Sequence, residues 1–219
     1  MNWPLLAELS EEDRRRFLAI ASRRRFDKNE VVFHEGDPGE SLHLVAKGRF
    51  AVWAGTPAGD MTMLRVIGTG GFFGELALVA NAGRRVATVT ALEPAETLSI
   101  GRADFERLRA VHTSVNQVLV AALATEVRRL SALVVETLHV PAEARVLRRL
   151  LAVAELWGGA RPGLAVPFTQ EGLAGLAGTT RPTVNRTLRQ AELAGLLILH
   201  RGRIELVDPI GLAARARMP

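Results

Sequence analysis

Two groups of residues have types and spacing that can do chemistry. Between 169 and 186 the chain places Thr169, Gln170, Thr180, Arg181, Thr183, Asn185 and Arg186, with Arg203 a little beyond. Arginine forks onto guanine N7 and O6, asparagine pairs with adenine, and threonine meets a thymine methyl or a phosphate. Thr169, Gln170 and Arg203 suit phosphate contacts. The second group lies in "GELALVANAGRRV": Gly74, Glu75, Leu76 and Arg85, followed by Val86. Arginine gives a charge-assisted fork to a phosphate, and a glycine turn adds backbone N–H donors. Gly74 and Glu75 equally well build a short turn between two strands, and that reading stays open. Catalysis has no comparable support, with no nucleophile–base pair, metal cluster or Walker-type loop, so no enzyme is expected. The chain has no cysteine, which excludes disulfides, iron–sulfur clusters and thiolate zinc sites. Its five histidines (His34, His43, His112, His139, His200) are scattered and are expected to be structural or surface residues, with no metal site.

These groups need elements to position them. Residues 169–195 read as two close helices. Thr169 caps the first, Gly178 takes a turn that needs positive φ, Thr179 or Thr180 caps the second, and Pro182 sits in its first turn. Leu173, Ala174, Ala177, Val184, Leu188 and Leu193 or Leu196 face inward. "LLILHRGRIELVD" then forms a hairpin around Arg201-Gly202. The whole is a helix-turn-helix with a wing.

Upstream, the period changes. Residues 5–22 read as a helix with Ser10 and Asp13 as cap and first-turn acid. From 24 to 100, "EVVFHEGD", "SLHLVAKG", "RFAVWAG", "MTMLRVIG" and "ATVTALE" alternate apolar and polar residues. Asp27-Lys28-Asn29, Gly36-Asp37-Pro38-Gly39, Lys47-Gly48, Gly55-Thr56-Pro57 and Gly68-Thr69-Gly70-Gly71 separate them. Such spacing predicts an antiparallel barrel or sandwich. A short helix over "ADFERLRAV" precedes a long one that ends at Val140-Pro141. Val120, Leu123, Val127, Leu130 and Val134 alternate spacings of three and four along it, a seam of coiled-coil type that predicts a dimer. The alternative is a helix lying on its own barrel.

The 219 residues suit two domains, and 48% hydrophobic residues suffice for a core in each. No apolar run reaches the ~18 residues of a membrane span, and the N-terminus has no cleavage-site pattern, so a cytoplasmic protein without a membrane partner is expected. The net charge of +5 is uneven. Residues 1–139 hold 17 basic and 17 acidic side chains, whereas 140–219 hold 11 and 6. A neutral front and a basic back suggest that the back meets a polyanion. Arginine accounts for 26 of the 28 basic residues, so composition bias is the competing explanation; Arg14–Arg16 and Arg23–Arg25 are expected to be solvated faces.

The order of β-roll, long helix and winged helix-turn-helix resembles the CRP/FNR family of transcription regulators. The resemblance rests on "GDPGESLHLVAKG" (36–48), "FFGELALV" (72–79), Arg85, the long helix and "LAGLAGTTRPTVNRTLR" (173–189), and it covers essentially the whole chain. It implies an α+β fold: an antiparallel β-roll sensor of cyclic-nucleotide-binding type (a double-stranded β-helix) over 1–110, a dimerisation helix over 111–139 and a winged helix-turn-helix over 140–219. It also implies a homodimer on double-stranded DNA with a near-palindromic operator, working with RNA polymerase. Arg181 and Arg186 become the guanine readers. Family members often carry Glu after the first arginine; here Pro182 stands there, and Asn185 is a polar candidate to fill the gap. In cyclic-nucleotide-binding members the Gly-Glu segment, the arginine and a following hydroxyl hold the cyclic phosphate and ribose. Gly74, Glu75, Leu76 and Arg85 match, and Val86 departs. Losing one phosphate donor costs roughly 1–3 kcal/mol. Arg129 matches a position near the base, but the next turn offers Leu133 and Val134 where hydroxyls are usual. Cyclic AMP or another cyclic nucleotide is therefore a possible effector with no certain cofactor, and regulation without ligand is equally open. The rival function is a cyclic-nucleotide-sensing module that acts through protein contacts.

Overall fold

A computed structural model describes residues 3–56, 59–79 and 83–217. Pro57 of one expected turn and Ala80–Ala82 of the Gly74–Val86 stretch lie outside these residues. The chain divides into two compact units, Met1–Met61 with Arg65–Leu130, and Thr62–Leu64 with Ser131–Pro219.

The first unit opens with a 3₁₀ turn at Pro4–Leu6 and then α1 (Glu11–Ala19). The single helix expected over 5–22 is thus two pieces and a strand. Ser10 is the reason: its Oγ accepts the Asp13 N–H while its own backbone stays extended, which starts a new helix there. The strands are β1 (Ser22–Phe26), β2 (Val31–Phe33), β3 (Ser41–Lys47), β4 (Phe50–Gly55), β5 (Met61–Ile67) and β6 (Phe72–Phe73). The short helix α2 (Leu76–Val79) follows, then β7 (Thr88–Ala91), β8 (Ala95–Gly101) and α3 (Arg102–Val111). They form two four-stranded sheets, ordered β1-β8-β3-β6 and β2-β7-β4-β5, with antiparallel pairing of β8 to β1 and β3 and of β7 to β2 and β4. Arg23–Arg25 are exposed, as expected, but on edge strand β1, where charge also guards an open sheet edge.

Strand β3 explains how the roll holds together. Successive side chains of a strand point to opposite faces, and both faces of β3 are covered. Leu42, Leu44 and Ala46 join Trp3, Phe17, Phe105 and Ile100 in one core. Val45 turns the other way into a second core with Phe26, Phe50, Phe73 and Val89.

Helix α4 (Asn116–His139) starts in the first unit, where Val118 and Ala122 are buried. The second unit holds its end, then α5 (Ala142–Leu156), β9 (Ala165–Val166), α6 (Gln170–Ala177), α7 (Arg181–Leu193), β10 (Leu197–His200), β11 (Arg203–Leu206) and α8 (Pro209–Arg215). β10, β11 and β9 make a three-stranded sheet in that order. The fold is therefore α+β: an N-terminal antiparallel domain, a long helix and a C-terminal winged helix-turn-helix.

Candidate nucleic-acid interface and effector pocket

The α6–α7 corner is built by three local devices. Thr169 Oγ1 accepts the Gly172 N–H at 3.0 Å and starts α6. Gly178 closes it at φ +57°, a left-handed conformation that glycine adopts without strain. Thr180 then caps α7 through the Thr183 N–H, with Pro182 in the first turn where its missing N–H costs nothing. Val184, Thr187, Leu188 and Ala191 are buried. Their spacing turns Arg181, Asn185 and Arg186 outward, all exposed, with Thr183 partly so. Leu193 is 89% exposed, so it is the partly buried Leu196 that takes the inner position between those two.

Two of these polar residues are held from neighbouring helices. Asn185 Nδ2 donates to Gln170 Oε1 at 3.2 Å, and Arg186 Nη2 donates to Glu143 Oε1 at 2.8 Å. Hydrogen bonding and the charge of Arg186 help hold the Glu143 carboxyl below its ordinary range. Thr180 and Thr183 share a hydroxyl contact at 3.1 Å. Arg203 is exposed at the start of β11, opposite His200 across the hairpin.

Not all of the basic excess faces outward. Arg145 is buried, and its guanidinium donates to four carbonyls: Thr137 and Val140 at the end of α4, and Ala177 and Gly178 at the α6–α7 turn. Arg149 Nε donates to Leu176 O, and Arg148 Nε to Ala216 O. These arginines satisfy backbone carbonyls at helix ends. Counting charge did not separate them from the outward-facing ones.

In the first unit the Gly74 turn carries the second group. Gly74 has φ +80°, and a Cβ there would stand 2.6 Å from Arg85 Nη1 and 2.8 Å from Ser41 O. Glycine is needed because the guanidinium lies against it. Arg85 is only 8% exposed. Its Nη1 donates to Ser41 O at 2.8 Å and more weakly to Gly74 O at 3.4 Å, its Nη2 donates to Ser41 Oγ at 3.0 Å, and its plane sits 3.9 Å above the Phe33 ring. The backbone of Arg85 is pinned as well, its N–H to Asp37 O and its carbonyl to Gly36 N–H. Val86 is 65% exposed and Leu76 is exposed.

A second charged cluster involves Glu75 and Arg129, and the Glu75 carboxylate also acts on Arg85. Burial pushes the Glu75 carboxyl upward, the neighbouring Glu126 adds to that, and Arg65 and Arg129 oppose it. Arg129 forks onto Glu126, with Nε and Nη2 contacts of 2.6–3.1 Å, and Arg65 Nη1 reaches the same carboxylate at 3.3 Å. These bonds hold Glu126 below its usual range. The structure thus brings Gly74 to Arg85 and sets Glu75 in the field of Arg129, while Val86 joins neither. Ser41, His43, Phe33, Arg65 and Glu126 were not singled out from sequence. The alternation of "SLHLVAKG" does place Ser41, His43 and Val45 on one strand face.

Behind Arg85 lies a buried polar chain. His43 Nε2 is 3.0 Å from Ser41 Oγ, and His43 Nδ1 is 3.0 Å from Thr97 Oγ1. Burial, then the charges of Arg85 and Arg24, push the His43 pKa down to about 3, so the ring is neutral at ordinary pH. Arginine can only donate. A consistent assignment has Ser41 Oγ accept from Arg85 and donate to His43 Nε2, while His43 Nδ1 donates to Thr97. The ring stacks on Phe73, with centroids 5.0 Å apart.

A cyclic nucleotide-binding domain matches residues 23–112, and a Crp-like helix-turn-helix domain matches residues 144–215. The cyclic AMP receptor protein of Thermus thermophilus is 31% identical over 93% of this chain and 92% of its own length. A CRP-like cAMP-activated global transcriptional regulator of Mycobacterium tuberculosis is 28% identical over 88% of this chain and 87% of its own. A crystal structure of a regulator of the crp/fnr family from Eubacterium rectale superposes with a TM-score of 0.79 over 99% of both chains, at 20% identity, a likeness of fold alone.

Proposed function

Since the chain belongs to the CRP/FNR family of transcription regulators, which are not enzymes, we propose that two copies pair along α4 and set two α7 helices on a near-palindromic operator. The division into a sensor over 1–110, a dimerisation helix over 111–139 and a DNA-binding domain over 140–219 goes with this reading. The observation that carries it is the outward face of α7. Arg181, Asn185 and Arg186 are exposed at its N-terminal end while Val184, Leu188 and Ala191 are buried behind them. Arg181 and Arg186 read guanine, Asn185 and Thr183 complete the base contacts, and Thr169, Gln170, Thr180 and Arg203 hold phosphates. Helix N-termini also favour phosphate. Two such helices enter successive major grooves ~34 Å apart.

Pairing is supported by the stripe on α4. Val120, Val127, Leu130 and Val134 are exposed in the single chain, with Val127 at 62%, and Leu123 is half-buried. Apolar positions at alternating spacings of three and four on an exposed helix face suit a partner helix. Contact with RNA polymerase and a cytoplasmic site of action follow from the same reading; among the described residues no helix is long and apolar enough to cross a membrane.

Cyclic AMP is not the effector in this proposal. Arg85 already donates to Ser41 and Gly74, Arg129 is forked onto Glu126, and Val86 offers no hydroxyl. Calorimetry with cyclic AMP and cyclic GMP is expected to give no binding heat, and saturable binding of either would restore the nucleotide reading. The DNA reading is tested by selection from a random duplex library followed by a salt titration. Enrichment of a two-fold site whose affinity falls steeply with salt is expected; failure to enrich any sequence would favour a module acting through protein contacts. Leu130→Glu is expected to halve the mass in solution, and an unchanged mass would show that the seam lies elsewhere.

A further inference from the structure

Asn185 does not stand alone on the outward face of α7. Its Nδ2 donates to Gln170 Oε1 at 3.2 Å, across the corner between α7 and α6. Both residues sit on fixed elements. Gln170 is the first residue of α6, and the Thr169 side chain caps that helix through the Gly172 N–H. Asn185 lies in the second turn of α7, flanked in sequence by buried Val184, Thr187 and Leu188. Its neighbour Arg186 is held by Glu143 on α5 instead. Asn185 is exposed and Gln170 half-buried, so a base edge can reach the pair.

We propose that Gln170 is a positioning residue that makes Asn185 select adenine over guanine at one position of each half-site. The inference rests on the reading of α7 given above. An asparagine amide carries two N–H donors and one acceptor oxygen. Unheld, it meets either purine. Adenine offers the N7 acceptor beside the N6 donor, and the amide answers with one N–H and its oxygen. Guanine offers two acceptors, N7 and O6, and an amide turned towards them answers with both hydrogens of its NH₂. Gln170 takes one of those hydrogens. What is left on Asn185 is one N–H and one oxygen. That pattern fits adenine and sets oxygen against oxygen at guanine O6. The bond is already made in the protein alone, so the amide has no orientation to find on the DNA. Selectivity thus depends on a residue outside the recognition helix.

Gln170 does this without giving up a phosphate. It spends its oxygen on Asn185, and its Nε2 hydrogens remain for the backbone of the duplex. The two roles separate by measurement. A phosphate contact changes the affinity for every sequence alike, whereas a held amide changes the ratio between bases.

The full chain is used to select a site from a random duplex library. Each base of the half-site is then varied singly, and affinities are measured by fluorescence anisotropy. One adenine per half-site is expected to beat guanine by about 5- to 150-fold, and Asn185→Ala is expected to erase that preference. Gln170→Ala is expected to lower the same adenine-to-guanine ratio by about two- to tenfold, with the ratios at other positions unchanged. Gln170→Glu keeps an acceptor for Asn185 but sets a charge against phosphate. It is expected to weaken all sequences alike and to keep the ratio. With Asn185→Ala already present, Gln170→Ala is expected to leave the ratio unmoved, since the two side chains act as one unit. Circular dichroism checks that each variant is folded. An unchanged ratio in Gln170→Ala would make Gln170 a phosphate contact only and overturn the proposal. A half-site in which no adenine answers to Asn185→Ala would overturn it as well. Failure to enrich any sequence would instead overturn the reading of α7, and this inference with it.

Discussion

Arg85 in the roll and Arg181 at the start of α7 are one residue type in opposite settings. Arg85 is buried, lies on Phe33 and spends three donors on Ser41 and Gly74. Arg181 is exposed at a helix N-terminus that favours anions. The difference is one of desolvation. An exposed arginine can exchange water for a base edge at little cost, whereas a buried one must first give up protein partners. The winged domain therefore presents its chemistry outward, and the roll has turned its own inward.

The largest expected effect tests whether burial, rather than charge, decides what an arginine does. Arg145→Ala leaves four carbonyls without their donor and is expected to destabilise the protein by about 3–5 kcal/mol, read as a lower thermal midpoint with a folded roll retained. A variant as stable as wild type would show that water replaces the guanidinium. Acid sensitivity is next. The His43 pKa lies near 3 in the fold against 6.5 in the unfolded chain. The unfolded state binds the extra proton, so this contribution is complete above pH 6.5 and is lost as pH falls towards 3. It amounts to something on the order of 5 kcal/mol. Denaturant titrations between pH 7 and 4 are expected to slope downward with acid, and His43→Gln is expected to flatten that slope. An equal slope in the variant would place the sensitivity elsewhere.

The smaller effects belong to the outward face. Arg181→Ala is expected to weaken specific DNA binding by ~1–3 kcal/mol and relax one base position, checked by binding to single-base variants of the selected site. The smallest concerns Glu143→Gln, which removes the charge that holds Arg186. Both side chains are largely exposed, so stability is expected to change by less than about 1 kcal/mol. A larger loss would mean that Arg186 is a structural arginine like Arg145.

Where local chemistry decides the conformation, sequence reading reached it. Thr169, Gly178, Thr180 and Pro182 set the corner of the helix-turn-helix by their own caps and φ preferences. The alternation in "SLHLVAKG" gave β3. Reading failed where distant partners decide. Ser22–Phe26 carries three arginines and becomes a strand only because β8 pairs with it. Likewise, the inward turn of Arg85 depends on Ser41, 44 residues earlier, and on Phe33. Neither can be read from "GRRV". Arg145 is similarly silent: one of several arginines on a helix, its burial becomes visible only once α6 lies against α5.

Arg145 also has a mechanical consequence. One side chain rivets the carbonyls of Thr137 and Val140 to those of Ala177 and Gly178. The last turn of α4 and the corner that aims α7 are therefore one stiff piece. Bonded in this way, the start of α7 keeps its place relative to the end of α4.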